Sequence, residues 1–116
     1  MKKKQKKQKS KKTISETANA ILESLFIVRD NITDDYPDIP LLFMDPAKYY
    51  DQAIMGVIEG KAHATAVAYD YDKVIEANMQ QGMDYEGAVE YFEYNQIGAY
   101  VGEHTPVFLK MRDYSI

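Results

Sequence analysis

Asp70, Asp72, Glu103 and His104 are the residues of this chain whose types and spacing could support acid–base or cation chemistry. Asp70 and Asp72 flank Tyr71, and paired carboxylates can hold a hard cation or divide acid and base roles between them. Glu103 adjoins His104 in the turn-like run Gly102-Glu103-His104-Thr105-Pro106, where a neighbouring acid can orient or tune an imidazole. A working site would need these four side chains within about 6 Å of a shared centre. The other histidine, His63, has no partner at metal-ligand spacing, and neither does His104. Asp70 and Asp72 lack the further oxygen ligands and the glycine placement of a calcium loop. Helix capping is the simpler reading of both. Glu90 and Glu93, three apart, read as a solvated helix face.

The remaining machinery for bond-making is missing from the sequence. With no cysteine there is no thiolate nucleophile, no disulfide and no Cys-ligated zinc. Phosphate loops, nucleophile elbows and dinucleotide fingerprints do not occur. Ser10, Ser15, Ser24 and Ser115 stand outside any nucleophile context. No cofactor or metal is expected, and neither is an enzyme. The chain has no apolar run of about 18 residues. The stretch from Ile21 to Val28 is short and broken by Glu23, unlike the apolar region of a signal peptide. A soluble cytoplasmic protein without a membrane partner is the expectation.

Charge divides the chain in two. Residues 1–12 carry Lys2, Lys3, Lys4, Lys6, Lys7, Lys9, Lys11 and Lys12 and no acid. The following residues 13–116 hold six Lys/Arg against 18 Asp/Glu, a net charge of −12. Residues 1–12 cannot build a core and are expected to be a disordered basic tail, attached to one domain spanning 13–116. The lysines could contact nucleic-acid or anionic-lipid phosphates, the segment could be a solubilising or self-screening arm against the acidic body, or it could be an address. The segment has neither Arg nor an aromatic, so phosphate contacts would be weak and indifferent to base sequence.

The body must supply the elements that position any site. Thr13 and Glu16 have capping-box spacing, and Ile14, Ala18, Ile21, Leu22, Leu25, Val28 and Ile32 form one apolar stripe. A helix ending near Ile32 follows from that stripe. Leu41-Leu42-Phe43-Met44 reads as a buried strand or a tucked loop, and Asp45-Pro46 as the cap and first position of a short helix to Gln52. Ala53–Ile58 predicts a strand buried on both faces, and Ala64–Tyr69 its hairpin partner, with small residues suited to a helix packed close. Asp70 or Asp72 caps the next helix, whose inner face is Val74, Ile75, Asn78 and Met79. Gly82 closes it in the left-handed region. Asp84 caps another helix, with Ala88, Val89, Phe92 and Gln96 inward. Gly98 and Gly102 are turn punctuation, and Pro106 opens a last edge strand, Val107–Leu109. The fold class is α+β: a small, mostly antiparallel sheet with about three main helices on one face.

Several runs in this region resemble a group of small phage and mobile-element proteins. They are Tyr69-Asp70-Tyr71-Asp72-Lys73, Gln81-Gly82-Met83-Asp84-Tyr85-Glu86, Ala88-Val89-Glu90-Tyr91, Asn95, Gly98-Ala99-Tyr100-Val101-Gly102 and Thr105-Pro106. The resemblance covers about 40 residues. It implies a phage accessory protein and brings no activity, cofactor or catalytic residue with it. Gly87 departs from the pattern, where an acidic or helix-favouring residue is expected. The Lys-rich arm lies outside the resemblance.

Ten tyrosines and an acidic body point to recognition of a protein partner, which could be a host protein, because tyrosine is favoured at binding hot spots. Tyr85, Tyr91, Tyr94, Tyr100 and His104 are the candidate partner surface. The alternative is a nucleic-acid-associated protein that uses the eight lysines of the tail.

Overall fold

The computed structural model describes residues 27–61 and 63–115. The proposed cap at Thr13 and the stripe from Ile14 to Leu25 lie outside the described residues, as does the basic segment. Helix α1, residues 27–35, runs one turn further than Ile32. It ends where Tyr36 N–H donates to the carbonyls of Ile32 and Thr33. Pro37 then stops it, because proline disfavours helical backbone at the residue before it. Ile32 packs on the core, but Val28 is more than a third exposed.

Leu41–Met44 forms no strand. It is a loop whose Leu41, Phe43 and Met44 pack against the core. Asp45 does not cap the next helix. The Asp45–Pro46 bond is cis, Pro46 is extended at the N-cap position, and the Asp45 carboxylate is taken by Arg29. Helix α2, Ala47–Tyr50, passes directly into a 3₁₀ turn, Asp51–Ala53.

Strand β1, Ile54–Ile58, pairs antiparallel with β2, Ala66–Asp70. Two residues of β1 oppose one of β2 between Ile54 and Gly56. That bulge requires Gly56, whose φ of 155° lies where side chains rarely go. β1 is an edge strand and is not buried on both faces: Met55 is well exposed. β2 is the central strand, with Ala66 to Tyr69 all buried. Val67 and Tyr69 join the hydrophobic cluster with residues of the helices, whereas Ala66 and Ala68 lie outside it. The helices therefore pack over the larger residues of β2, not over its alanines.

Helix α3, Tyr71–Gln80, starts at Asp70, whose carboxylate accepts from Lys73 N–H at 3.0 Å. Its buried residues are Val74, Ile75, Ala77 and Asn78. Ala77 takes the inward place expected of Met79, which is exposed. Gly82, with φ 107°, ends the helix and donates to the Met79 carbonyl. Helix α4, Tyr85–Tyr91, is capped by Asp84, which accepts from Gly87 N–H at 2.8 Å. It continues into a π-helical turn, Phe92–Gln96.

The last strand, β3, Val107–Leu109, is an edge strand and runs parallel to β2. Parallel neighbours need a long crossover, which α3 and α4 supply. The protein is α+β, with a three-stranded, mostly antiparallel sheet in the order β1-β2-β3. Tyr50, Val67, Tyr69, Val74, Ala77, Ala88 and Phe92 form the centre of its core. Phe92 stands edge-on to both Tyr71 and Phe108, an arrangement favoured by the ring quadrupoles.

Candidate recognition surface

Helix α4 has two faces. Ala88 and Phe92 point inward and are fully buried. One turn apart on the outer side, Gly87, Glu90, Tyr91, Tyr94 and Asn95 line a shallow groove of about 300 Å³ together with Met83. The spacing i, i+3, i+4, i+7 puts such residues on a single helical face. Tyr94 is 78% exposed and Tyr91 41%. Tyr85 and Tyr100 are also exposed, but neither lines the groove.

The backbone under this face is held by a buried polar network. Asn78, fully buried in α3, donates through Nδ2 to the Ala88 carbonyl at 3.2 Å and to Gln96 Oε1 at 2.9 Å. Gln96 Nε2 donates to the Tyr50 hydroxyl at 3.1 Å, and Gln81 Nε2 does so at 2.8 Å. Tyr50 in turn donates to Asn78 Oδ1. The π turn, marked by Ile97 N–H donating to the Phe92 carbonyl at 2.8 Å, lies between Phe92 and this polar cluster. It lets Gln96 reach inward while Tyr94 and Asn95 stay outside. Single π turns inside helices recur at functional sites.

The face is anionic. From residue 74 to 109 the chain has no Lys or Arg, while Glu76, Asp84, Glu86, Glu90, Glu93 and Glu103 fall in that stretch. Four of the cations of the body are engaged elsewhere. Arg29 pairs with Asp51 and Asp45, and Arg112 with Asp72. Lys48 sits over Tyr49 and Lys110 over Tyr71.

His104 does not join this surface. Its Nδ1 is 2.7 Å from the Thr65 carbonyl. A carbonyl only accepts, so the ring carries its proton on Nδ1 and ties the loop before β3 to the start of β2. Asp70 lies at the far end of β2, about 16 Å away at 3.3 Å per strand residue. Asp70 is committed to its cap and Asp72 to Arg112 at 2.8 Å. The four residues that an acid–base site would need are therefore not brought together. Among the described residues no group of three or more His, Asp or Glu is placed to hold a metal ion, and no helix is long and apolar enough to cross a membrane.

Of the candidate surface residues, the structure brings Tyr91 and Tyr94 together and leaves Tyr85, Tyr100 and His104 apart. Sequence reasoning missed Met83, Gly87, Glu90 and Asn95 as their companions. The signal was present: the outward helical face read from Gly87 through Glu90 and Tyr91 to Tyr94 is complementary to the inward one read from Ala88 to Phe92.

A second polar centre forms around Asp51, the residue after Tyr50. Arg29 Nη2 donates to Asp51 Oδ1 at 2.7 Å and to the Met44 carbonyl at 2.8 Å. The Asp51 side chain is wholly buried. Burial pushes its carboxyl above the usual carboxylate value, while the Arg29 hydrogen bonds and charge pull it back. The guanidinium also stacks over Phe43, 4.6 Å from the ring centroid. With Nε, Nη1 and Nη2 all donating within the protein, this pair reads as a structural clamp.

Comparison with known proteins finds no matching family model, curated protein or solved structure.

Proposed function

We propose that the protein is a phage-type accessory protein that works by binding a protein partner through the α4 face, and that it does so in the cytoplasm of the host without catalysing a reaction. The observation that carries this is the exposure of Tyr91 and Tyr94, which line one groove together, over a backbone pinned by buried hydrogen bonds. Tyrosine offers a large amphipathic contact area at small entropic cost, and a pinned backbone lowers the ordering cost of binding. The phage assignment is supported by the resemblance of the Tyr69–Pro106 segment.

A photo-crosslinking residue at position 94 of the full chain tests the reading in bacterial lysate. A discrete crosslinked partner, saturable at low-micromolar protein and lost in Tyr91→Ala, is expected. Crosslinking no stronger than from a control position at Tyr114, which is equally exposed, would defeat it.

The alternative is nucleic-acid association through the lysines of residues 2–12, supported by eight Lys without an acid. Binding of DNA or RNA that persists after deletion of those residues rules this route out.

A further inference from the structure

We infer that the Lys-rich segment, residues 2–12, is the resident occupant of the α4 groove in its own chain. Charge complementarity is the first argument. The groove contains Glu90, with Glu86 and Glu93 exposed about one turn to either side, and the surrounding sequence from 74 to 109 supplies no cation to answer them. Residues 2–12 hold eight.

The second argument is the chemistry of the walls. An ammonium is attracted to a tyrosine face, and this protein already uses that contact twice. Lys110 Nζ lies 4.6 Å from the Tyr71 centroid and Lys48 Nζ 5.3 Å from that of Tyr49. Tyr91 and Tyr94 offer two more faces, and described residues contribute no cation to either.

Spacing and reach agree. Glu86 to Glu93 spans seven residues of helix, about 10 Å. Lys4 to Lys7 or Lys6 to Lys9 in an extended chain spans about the same. As the helix their apolar stripe predicts, residues 13–26 would cover about 20 Å. α1 is linked to α4 through the 3₁₀ turn and α3, steps of about 8–10 Å each for packed helices. Because lysine is a compact, strongly hydrated charge without a bidentate fork, the contact is weak and exchangeable. The inference rests on the reading that this face binds a partner, with which the segment would compete for the same groove.

The chain has no cysteine, so a nitroxide attached at Ser10→Cys is unique. In the ¹⁵N-labelled full chain at low ionic strength, the amides of Gly87, Glu90, Tyr94 and Asn95 should broaden several-fold more than those of β1. The difference should collapse in about 1 M salt, where the screening length is about 3 Å, and in the Glu86→Gln/Glu90→Gln/Glu93→Gln variant. Uniform broadening over the anionic surface would overturn the inference. So would broadening centred elsewhere, or broadening seen only when label and isotope are on different molecules, which would mean a second copy. This measurement needs no partner. Crosslinking from position 94 that survives a failed relaxation experiment would remove the cis occupant and keep the partner. If both hold, replacing the eight lysines by Gln should raise the crosslinked yield.

Discussion

The hydroxyl of Tyr50 donates to Asn78 Oδ1 at 2.5 Å and accepts from Gln81 and Gln96. One phenol thus joins the end of α2, the core of α3 and the π turn that follows α4. Asn78 is fully buried, and a buried amide is tolerated only when its donors and acceptor are all answered. Here they are: among the described residues no buried side-chain polar atom lacks a partner.

Tyr50→Phe should therefore cost more than one hydrogen bond's net value. It leaves Asn78 Oδ1 without its donor in a site closed to water. The expected loss is about 2–3 kcal/mol, within the range for a buried unsatisfied group. Urea unfolding with an unchanged m-value would report it, and amide exchange over 92–97 should speed up. A loss below about 0.5 kcal/mol would show that the network is dispensable.

The Arg29–Asp51 clamp makes a different prediction. Arg29→Met strands a buried carboxylate, which typically costs about 3–5 kcal/mol, whereas replacing both partners by apolar residues is far milder. Arg29→Met/Asp51→Leu should recover most of the loss in a double-mutant cycle. Burial already raises the Asp51 carboxyl, and removing Arg29 raises it further. A raised group lends stability that is complete below its unfolded value and disappears as pH rises through its folded value. The Arg29→Met deficit should accordingly shrink as pH falls through the raised value of Asp51 and the carboxylate takes up its proton. A deficit independent of pH would mean that the carboxylate escapes to water in the variant.

These two centres explain where the sequence was legible and where it was not. Local signals were read well. Asp70 and Asp84 cap their helices, Gly82 ends α3, and the run preceding Asp70 is the central strand, because each depends on residues within a few positions. The cap at Asp45 failed for a long-range reason, since Arg29, 16 positions away, holds its carboxylate. Asn78 and Gln96 were correctly placed on inner faces, but periodicity does not say that an inward amide has a partner. Nor does composition separate Tyr50 and Tyr69, which are buried, from Tyr91 and Tyr94, which are not. The parallel register of β3 follows from how α3 and α4 pack, and three residues of strand carry no signal for direction.

Tyr69 gives a prediction at alkaline pH. It is fully buried, and burial pushes its hydroxyl from 10.0 up to about 12, against the opposing pull of Met44 N–H, which donates to its oxygen at 2.8 Å. The folded value exceeds the unfolded one, so the contribution is complete below about pH 10 and is lost as pH rises through about 12. Two pKa units correspond to about 2–3 kcal/mol at most. Tyr69→Phe should cost about 1–3 kcal/mol at neutral pH by stranding Met44 N–H. Its stability curve and that of the parent should converge across the alkaline window. Parallel curves would mean that Tyr69 ionises without resistance.

Gly87 is the departure from the expected helical pattern, and its geometry explains the exception. A Cβ built there would sit 2.9 Å from Asp84 Oδ1, the same oxygen that accepts Gly87 N–H. Alanine would gain up to about 1 kcal/mol of helix propensity and would push the cap aside, losing about 1 kcal/mol. Gly87→Ala alone should fall within about 0.5 kcal/mol of the parent, because the two effects oppose each other. In an Asp84→Ala background, where no cap remains to displace, the same substitution should stabilise by up to about 1 kcal/mol. Thermal or urea unfolding of the four proteins measures the coupling. Equal effects of Gly87→Ala in both backgrounds would show that the glycine is there for the groove it lines and not for the cap.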